Sequence, residues 1–302
     1  MDMFVTELWR IGIVQAPIQQ IAAAGSLENV PITWIEPDRS LCFLADPFGL
    51  WHNGYLYVFA EAYDYRTRCG DIVVFVLDSN FQVLEQRTVL KEPWHLSYPY
   101  VFEADGEIWM LPEGYKSGTL SLYRAVDFPW TWEKVPEFTF PCAAIDPSPV
   151  FAEGSWWIFY TPPAPKAART SALMLARSPQ LTGPWQNVTE QPIRVDKQGA
   201  RMGGTPYVDN GNLILPVQDC SSSYGGALRL LEMPLGSLAA PQLTRGAWLK
   251  APASSAPYTD GLHTLSAVGN VTLIDTRRDV VGSPLRMAVD LKRTVRKWFR
   301  QP

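Results

Sequence analysis

The sequence has few charged residues, few histidines and no long apolar run, and each shortage excludes a class of protein. Charged residues make up 19% of the chain, below the ~25% usual for a soluble domain. The net charge of -4 argues against nucleic-acid binding, which requires a basic surface. No apolar run reaches the ~18 residues of a membrane-spanning helix. We therefore expect a protein that neither binds nucleic acid nor crosses a bilayer.

The cysteines and the N-terminus give no sign of a metal site or of secretion. The chain has three histidines, and no two of its cysteines form a C-x-x-C pair, so a structural zinc site is not expected. The first twenty residues contain Asp2 and Glu7 and lack the basic-then-apolar order of a signal peptide. We expect a cytoplasmic protein with reduced thiols at Cys42, Cys69, Cys142 and Cys220.

Proline and aromatic residues are abundant and favour an all-β fold. The 26 prolines are incompatible with a helical bundle, because an interior proline costs a helix ~3 kcal/mol. The hydrophobic content of 47% is enough to form a core and excludes disorder.

An internal repeat sets the predicted architecture. Each copy has a polar residue, usually before a proline, then a short apolar stretch, a Gly-containing turn and a second apolar run. The copies begin at Asp46, Tyr98, Asp146, Thr205 and, more weakly, His263, at intervals of 48–59 residues. Each interval accommodates about four strands of ~5–6 residues. Such repeats are typical of β-propellers, and five of them predict five blades.

The repeat also predicts the domain boundaries. We expect residues 1–284 to form a single propeller, with blades starting near 40, 94, 142, 200 and 258. The apolar N-terminal segments Leu8–Val14 and Ile32–Ile35 should complete the last blade and close the ring. Closure of this kind removes the exposed sheet edges that favour aggregation.

Residues 285–302 predict a short amphipathic helix with a basic face. Residues 286–300 contain six basic residues and one acidic residue. One interpretation is a helix that packs its apolar side on the propeller, and the other is a helix that contacts a membrane surface or a glycosyltransferase. We expect an ordered helix with part of its apolar stripe packed on the propeller or on a neighbouring chain, and weak, salt-sensitive binding to anionic vesicles. Its apolar stripe is Met287, Leu291, Val295, Trp298 and Phe299.

Hairpin geometry predicts a polar ring at one mouth of the channel. The start of the first strand and the end of the second lie at the same end of an antiparallel pair. An Asp before Pro can also simply cap a turn, and a Glu at a strand end can simply be solvated. The predicted ring is Asp46, Glu61, Tyr98, Glu113, Asp146, Thr161, Thr205, Gln218, Asp219, His263 and Asp275, with His95 and Arg201 just before two of the strands.

The sequence resembles two groups of propellers. Asp46-Pro, Asp146-Pro and Gly261-Leu-His263 are similar to the five-bladed propellers of glycoside hydrolase families 43 and 32. A closer resemblance, over nearly the whole chain, is to the N-terminal propeller family of glucosamine inositolphosphorylceramide transferase and its bacterial relatives. The strings that carry it are Trp9-Arg-Ile-Gly-Ile13, Ala45-Asp-Pro-Phe48, His95-Leu-Ser-Tyr-Pro99, Leu111-Pro-Glu113, Gly183-Pro-Trp185, Gln218-Asp-Cys220 and Tyr224-Gly225.

The hydrolase resemblance implies roles for the carboxylates. It implies a blade-one Asp as general base, a blade-three Asp that tunes the pKa of the acid, and a blade-four Glu as the acid. Blade four opens here with Arg201-Met-Gly-Gly-Thr205 and lacks that Glu. We expect Asp46 as base, Glu113 as acid and Asp146 as pKa tuner or sugar ligand. The predicted substrate-binding residues are Glu61, His95, Tyr98, Arg201, Gln218, Asp219, Tyr224 and His263, with Trp94 and Tyr98 stacking on sugar faces.

Two functions remain open at this point. One is a carbohydrate-active propeller that acts on a glycosidic bond in polysaccharide or glycolipid metabolism, by inversion or retention. The other is a non-catalytic glycan-binding propeller that works with a separate glycosyltransferase. We expect no cofactor. The resemblance places calcium beside the blade-five His in some relatives, but a hard cation prefers six to eight oxygens. We therefore expect His263 to hydrogen-bond water or a carboxylate.

Overall fold

Five antiparallel sheets surround a central channel in the computed structural model, which describes residues 5–298 and the side chains of 5–294. The chain opens with strand β1 (Val5–Val14), helix α1 (Ile18–Ala24) and strand β2 (Ile32–Ile35). Blade one follows as β3 (Cys42–His52), β4 (Tyr55–Asp64), β5 (Cys69–Leu77) and β6 (Val83–Leu90). Blade two is β7 (Ser97–Ala104), β8 (Glu107–Glu113), β9 (Tyr123–Asp127) and β10 (Thr131–Lys134).

The next two blades have additional short strands. Blade three is β11 (Ile145–Ala152), β12 (Ser155–Thr161), β13 (Ala172–Ser178), β14 (Gln186–Asn187) and β15 (Arg194–Val195). Blade four is β16 (Arg201–Met202), β17 (Tyr207–Asp209), β18 (Asn212–Asp219), β19 (Ala227–Pro234) and β20 (Thr244–Leu249). The last elements are β21 (Leu265–Val268), β22 (Val271–Val281) and helix α2 (Pro284–Trp298).

The fifth blade joins the two ends of the chain. Its strand order is β2-β1-β22-β21, and β1 pairs with β22 over ten residue pairs, from Val5–Val281 to Val14–Thr272. The predicted closure by N-terminal strands and the five-bladed fold are therefore confirmed. We call the β1–β22 ladder the seam. Because β1 is paired over its full length, the sheet has no unpaired edge where the two ends of the chain meet.

The Xaa-Gly turns of the repeat fix the register of the first hairpin in four blades. Both central residues of each turn have positive φ, as a type I′ hairpin requires. The values are 48° and 81° at 53–54, 53° and 78° at 105–106, 53° and 68° at 153–154, and 46° and 78° at 210–211. These short turns keep the start of one strand beside the end of the next, which is the geometry on which the predicted ring depends.

The core consists of apolar side chains packed between neighbouring blades. One cluster contains Phe48, Phe59, Tyr100 and Met110 from blades one and two. A second cluster, between blades four and five, includes Ile18 and Ile21 of α1. Each fully buried side chain of this size contributes ~1.5–3 kcal/mol relative to exposure, so packing between blades holds the channel residues in place.

Helix α2 contacts the propeller through polar side chains, and the described part of its apolar stripe is exposed. Asp290 and Arg293 contact residues of the β4–β5 turn, whereas Met287 and Leu291 are 54% and 67% exposed. These two residues therefore do not pack on the propeller, whereas packing of the rest of the stripe, or of the stripe on a neighbouring chain, stays a prediction. The side chains of Val295 and Trp298, and Phe299, lie outside the described part of the chain. Within residues 5–298, no helix is long and apolar enough to span a membrane.

Candidate functional site

A cavity of about 740 Å³ opens at one mouth of the channel. Residues of blades one, two, four and five line it. Its polar lining includes Glu7, Glu61, Arg68, His95, Glu113, Lys116, Ser222, Ser223, His263, Arg277 and Asp279, and its aromatic lining is Trp9, Phe43, Tyr63, Tyr65, Tyr115 and Tyr224. Carboxyl groups, cations and aromatic faces therefore share one concave site, as is usual for sites that bind small polar ligands.

The innermost strands of blades one, two and three (β3, β7 and β11) each contain a β-bulge near their start, and the bulge turns one residue toward the channel. Asp46, Tyr98 and Asp146 have φ of 50°, 47° and 49°, and the strand register shifts around each of them. Each residue precedes a proline. Positive φ is uncommon outside glycine, and such strained positions cluster at functional sites.

Asp46 connects three blades at the channel mouth. Its carboxylate accepts hydrogen bonds from the Tyr98 backbone N–H (3.3 Å) and the Thr264 hydroxyl (3.1 Å). His263 Nε2 lies 3.6 Å from Asp46 Oδ1. Burial raises the pKa of Asp46 to about 6, although His263 opposes the shift. Asp46 is thus a carboxyl group that ionises close to neutral pH.

His263 and Asp275 form a second buried pair next to Asp46. His263 Nδ1 lies 2.6 Å from Asp275 Oδ2, and the imidazole stacks on Trp9 with ring centroids 3.9 Å apart. Burial alone would lower the pKa of His263, but the Asp275 and Asp46 carboxylates together raise it. His263 is thus paired with a carboxylate, as expected.

The cluster of Asp46, His263 and Asp275 does not fit a calcium ion. Ligand atoms of the three residues lie within 4.8 Å of one another. However, Asp275 Oδ1 already accepts the N–H groups of His263 and Thr264, and Asp275 Oδ2 accepts the N–H of Asp46. A cation that requires six to eight oxygens would compete with these donors and gain a nitrogen ligand instead. The cluster functions as a clip between blades five and one.

Glu113, Asp146 and Arg201 form the opposite side of the ring. Arg201 donates two hydrogen bonds to Asp146, from Nε (2.6 Å) and Nη2 (3.1 Å). Gln218 Nε2 donates a third at 2.9 Å. Glu113 Oε2 accepts the Asp146 backbone N–H at 3.3 Å and lies 3.8 Å from Arg201. Burial and the neighbouring Asp146 raise the pKa of Glu113 well above its usual range, against the effect of Arg201.

Glu61 and His95 extend the ring along the wall of blade one. His95 Nδ1 accepts the Gly70 N–H (2.9 Å), so a neutral imidazole carries its proton on Nε2, 3.6 Å from Glu61 Oε1. Burial lowers the pKa of His95 to about 4. Burial and the charges of Asp46 and Glu113 raise the pKa of Glu61 well above its usual range. This side of the cavity therefore offers neutral donors near neutral pH.

The structure brings most of the predicted site residues together, at different depths. Five of them line the cavity: Glu61, His95, Glu113, Tyr224 and His263. Asp46, Asp146, Arg201 and Gln218 lie among them and beneath them, joined by the hydrogen bonds above. Asp219 instead caps a turn, because its carboxylate accepts the backbone N–H (2.9 Å) and hydroxyl (2.6 Å) of Ser221.

The predicted stacking residues are not on the cavity wall. Tyr98 is fully buried, and its hydroxyl bonds to Ser148 (2.8 Å) and to the Gly204 carbonyl (3.1 Å). It therefore closes the channel and offers no face to a sugar, contrary to the prediction. Trp94 is also absent from the cavity lining, and the aromatic faces there belong to other residues, such as Tyr63 and Tyr115.

Sequence reasoning missed several lining residues contributed by the closing blade. Glu7 and Trp9 come from β1, and Arg277 comes from β22. Arg277 is 1% exposed and lies 3.9 Å from Glu7. The available signal was the alternation of side chains along a strand, which puts Glu7 and Trp9 on one face. That signal becomes useful only when the neighbouring strand, β22, is known.

Solved structures confirm the fold at low sequence identity. The catalytic domain of a GH62 α-L-arabinofuranosidase from Coprinopsis cinerea superposes with a TM-score of 0.60 at 12% identity, covering 80% of this chain and 93% of that one. CoXyl43, a GH43 β-xylosidase/α-arabinofuranosidase from a compost microbial metagenome, gives a TM-score of 0.57 at 12% identity, covering 82% and 93%. These similarities establish the propeller architecture.

Sequence comparison establishes the family. Glucosamine inositolphosphorylceramide transferase 1 of Oryza sativa subsp. indica is 40% identical over 197 residues, which are 63% of this chain and 26% of the rice protein. The match thus spans about a quarter of that relative. Residues 32–239 match the family model described as glucosamine inositolphosphorylceramide transferase 1, N-terminal. These residues include Asp46, Glu113, Asp146 and Arg201. The chain therefore belongs to the glucosamine inositolphosphorylceramide transferase 1 N-terminal family.

Proposed function

We propose that the channel-mouth cavity binds a glycosyl unit and that the protein acts on a glycosidic bond, with Asp46 as general base and Glu113 as general acid. The observation that carries this proposal is that two buried carboxyl groups lie at one channel mouth, with Glu113 on the cavity wall and Asp46 in the hydrogen-bonded ring beneath it. Burial raises the pKa of Asp46 to about 6, whereas the pKa of Glu113 is raised well above its usual range. A pair of carboxyl groups, one serving as acid and one as base, is what glycosyl transfer and hydrolysis require.

The proposed chemistry moves one proton onto Asp46 and one from Glu113. Glu113 donates its proton to the glycosidic oxygen as the bond to the anomeric carbon breaks. Asp46 accepts a proton from the attacking water or acceptor hydroxyl as the new bond forms. Protons then re-equilibrate with solvent through the open cavity. Glu61 and His95 are positioned to hydrogen-bond sugar hydroxyls, and the partly exposed Tyr63 and Tyr115 offer aromatic faces to the sugar ring.

Turnover on a panel of glycosides and nucleotide sugars tests this assignment. Asp46→Asn and Glu113→Gln are each expected to lower kcat at least ~100-fold, because each removes a proton-transfer group. Asp209→Asn is the matched carboxylate control, because Asp209 lies beside the turn of the blade-four hairpin, where it pairs with Asn212. This variant should leave kcat unchanged. Wild-type turnover by Asp46→Asn would show that Asp46 is not the base.

The same assignment predicts a bell-shaped dependence of kcat/KM on pH. Activity should increase as pH rises through about 6, where Asp46 ionises, and decrease at the higher pH at which Glu113 loses its proton. Initial rates across the pH range would measure both limbs. In the residual activity of Glu113→Gln, the decrease of kcat/KM at high pH should be absent. If that decrease is unchanged, a group other than Glu113 causes it.

A non-catalytic glycan-binding propeller is the second candidate, and the Arg201–Asp146 ion pair favours it. The guanidinium occupies the blade-four position at which the hydrolase resemblance implies an acid, and it contacts both oxygens of Asp146. In this case calorimetry would show saturable sugar binding, and no substrate of the panel would turn over. Glu113→Gln would then weaken binding without any kinetic effect to measure.

A further inference from the structure

Helix α2 lies at the rim of the cavity, and the described contacts between them involve one side of the helix. Arg68, which lines the cavity, pairs with Asp290 of α2 at 2.8 Å. Arg286 lies over the ring of Tyr65, another lining residue, at 4.1 Å. Arg293 donates a hydrogen bond to the Thr67 carbonyl at 3.3 Å. These contacts place the helix beside the mouth of the channel.

The other side of α2 presents an apolar stripe to solvent. Met287 and Leu291 of this stripe are 54% and 67% exposed, and Leu285, outside the stripe, is 59% exposed. Met287 and Leu291 are four residues apart and so share one helix face. This face is distinct from that of Arg286, Asp290 and Arg293, so it is not covered by the described part of the propeller.

Cations lie beside this stripe and at the cavity mouth, together with the partly or fully buried carboxyl groups of the cavity lining, Glu7, Glu61, Glu113 and Asp279. Arg68 and Arg286 both pair with Asp290, and Lys292 of α2 is exposed. Lys116, from blade two, lines the same cavity and is exposed. Cations therefore reach the mouth from two blades and from the helix, next to exposed apolar side chains.

We propose that the mouth surface, formed by Leu285, Met287, Leu291, Lys292, Arg68 and Lys116, binds an anionic lipid bilayer and holds the cavity mouth beside the lipid headgroups. Apolar side chains flanked by cations are the pattern of helices that lie in the membrane interface. A second copy of the chain is a poorer fit, because a symmetric contact would bring like charges together. The inference is independent of the proposed catalysis, since binding to vesicles requires no turnover.

Co-sedimentation of the full chain with vesicles tests this proposal. The probes are vesicles of phosphatidylcholine alone and of phosphatidylcholine mixed with phosphatidylglycerol. Wild type should sediment with the mixed vesicles only, and about 0.5 M salt should abolish this binding, because salt screens surface charge. Met287→Ser/Leu291→Ser should bind at least ~10-fold more weakly. Val195→Ser/Val208→Ser is the matched control, since these valines are 71% and 49% exposed on other blades, and it should bind like wild type.

A charge reversal on a different blade tests whether the cavity mouth faces the bilayer. Lys116→Glu should weaken binding several-fold, whereas Lys250→Glu, just after the outer strand of blade four, should leave it unchanged. Equal sedimentation of wild type and Met287→Ser/Leu291→Ser would overturn the proposal. So would a dimer in light scattering that the double variant abolishes, in the absence of vesicle binding, because a second copy would then cover the stripe.

Discussion

Replacing Arg201 with methionine is expected to lower the free energy of unfolding by about 3–5 kcal/mol, because it leaves a buried carboxylate without its countercharge. The side chain of Asp146 is only 2% exposed, and it would lose both hydrogen bonds from the guanidinium. Gln218 Nε2, at 2.9 Å, would be its one remaining side-chain donor among the described residues. The charge of Asp46 nearby would add repulsion.

Urea unfolding of matched variants distinguishes this effect from loss of packing. Arg201→Met/Asp146→Asn removes both charges and should recover most of the lost stability, since the uncompensated charge is gone. Arg177→Met, an exposed blade-three arginine whose guanidinium bonds to the Ser155 hydroxyl, should change stability by about 0.5 kcal/mol or less. A loss below about 1 kcal/mol in Arg201→Met would contradict the assignment of Arg201 as an essential countercharge.

The fold was predictable because its signals are local and repeated. The Asn53-Gly54 and Asn210-Gly211 turns each determine a hairpin by themselves, and the recurrence of the pattern determines the number of blades. The ring of polar residues follows from the same hairpins, because register places Asp46 near Glu61 without any knowledge of tertiary structure. Glu113 and His263 were found in this way.

The contacts between blades could not be predicted from local pattern. Whether Arg201 faces solvent or Asp146 depends on how blades three and four pack, and these residues are 55 positions apart. The burial of Tyr98 depends on Gly204, a residue of another blade that lies 106 positions away. Helix α2 illustrates the same difficulty, because periodicity identified its apolar stripe and gave no indication that Arg286 and Asp290, rather than Met287, would contact the propeller.

Replacing Asp275 with alanine is expected to destabilise the ring at its seam by about 4 kcal/mol. Asp275 is fully buried, and its carboxylate accepts the backbone N–H groups of Asp46 (2.9 Å), His263 (3.1 Å) and Thr264 (3.0 Å). Each N–H left buried and unpaired costs about 1–3 kcal/mol, partly offset if water enters. The N–H of Asp46 belongs to blade one and the other two to blade five, so the variant should loosen the junction that closes the propeller.

Urea unfolding and amide hydrogen exchange together locate the effect of Asp275→Ala. The matched control is Asp260→Ala, because Asp260 is an exposed carboxylate of the same blade that accepts one N–H, from Asp279, at 2.9 Å. The control should lose about 1 kcal/mol or less. In Asp275→Ala, amide exchange should accelerate first at Asp46 and Thr264, since the seam opens before the other blades unfold. If Asp275→Ala and Asp260→Ala unfold at the same urea concentration, Asp275 is not the clip between blades five and one, and the β1–β22 ladder alone closes the ring.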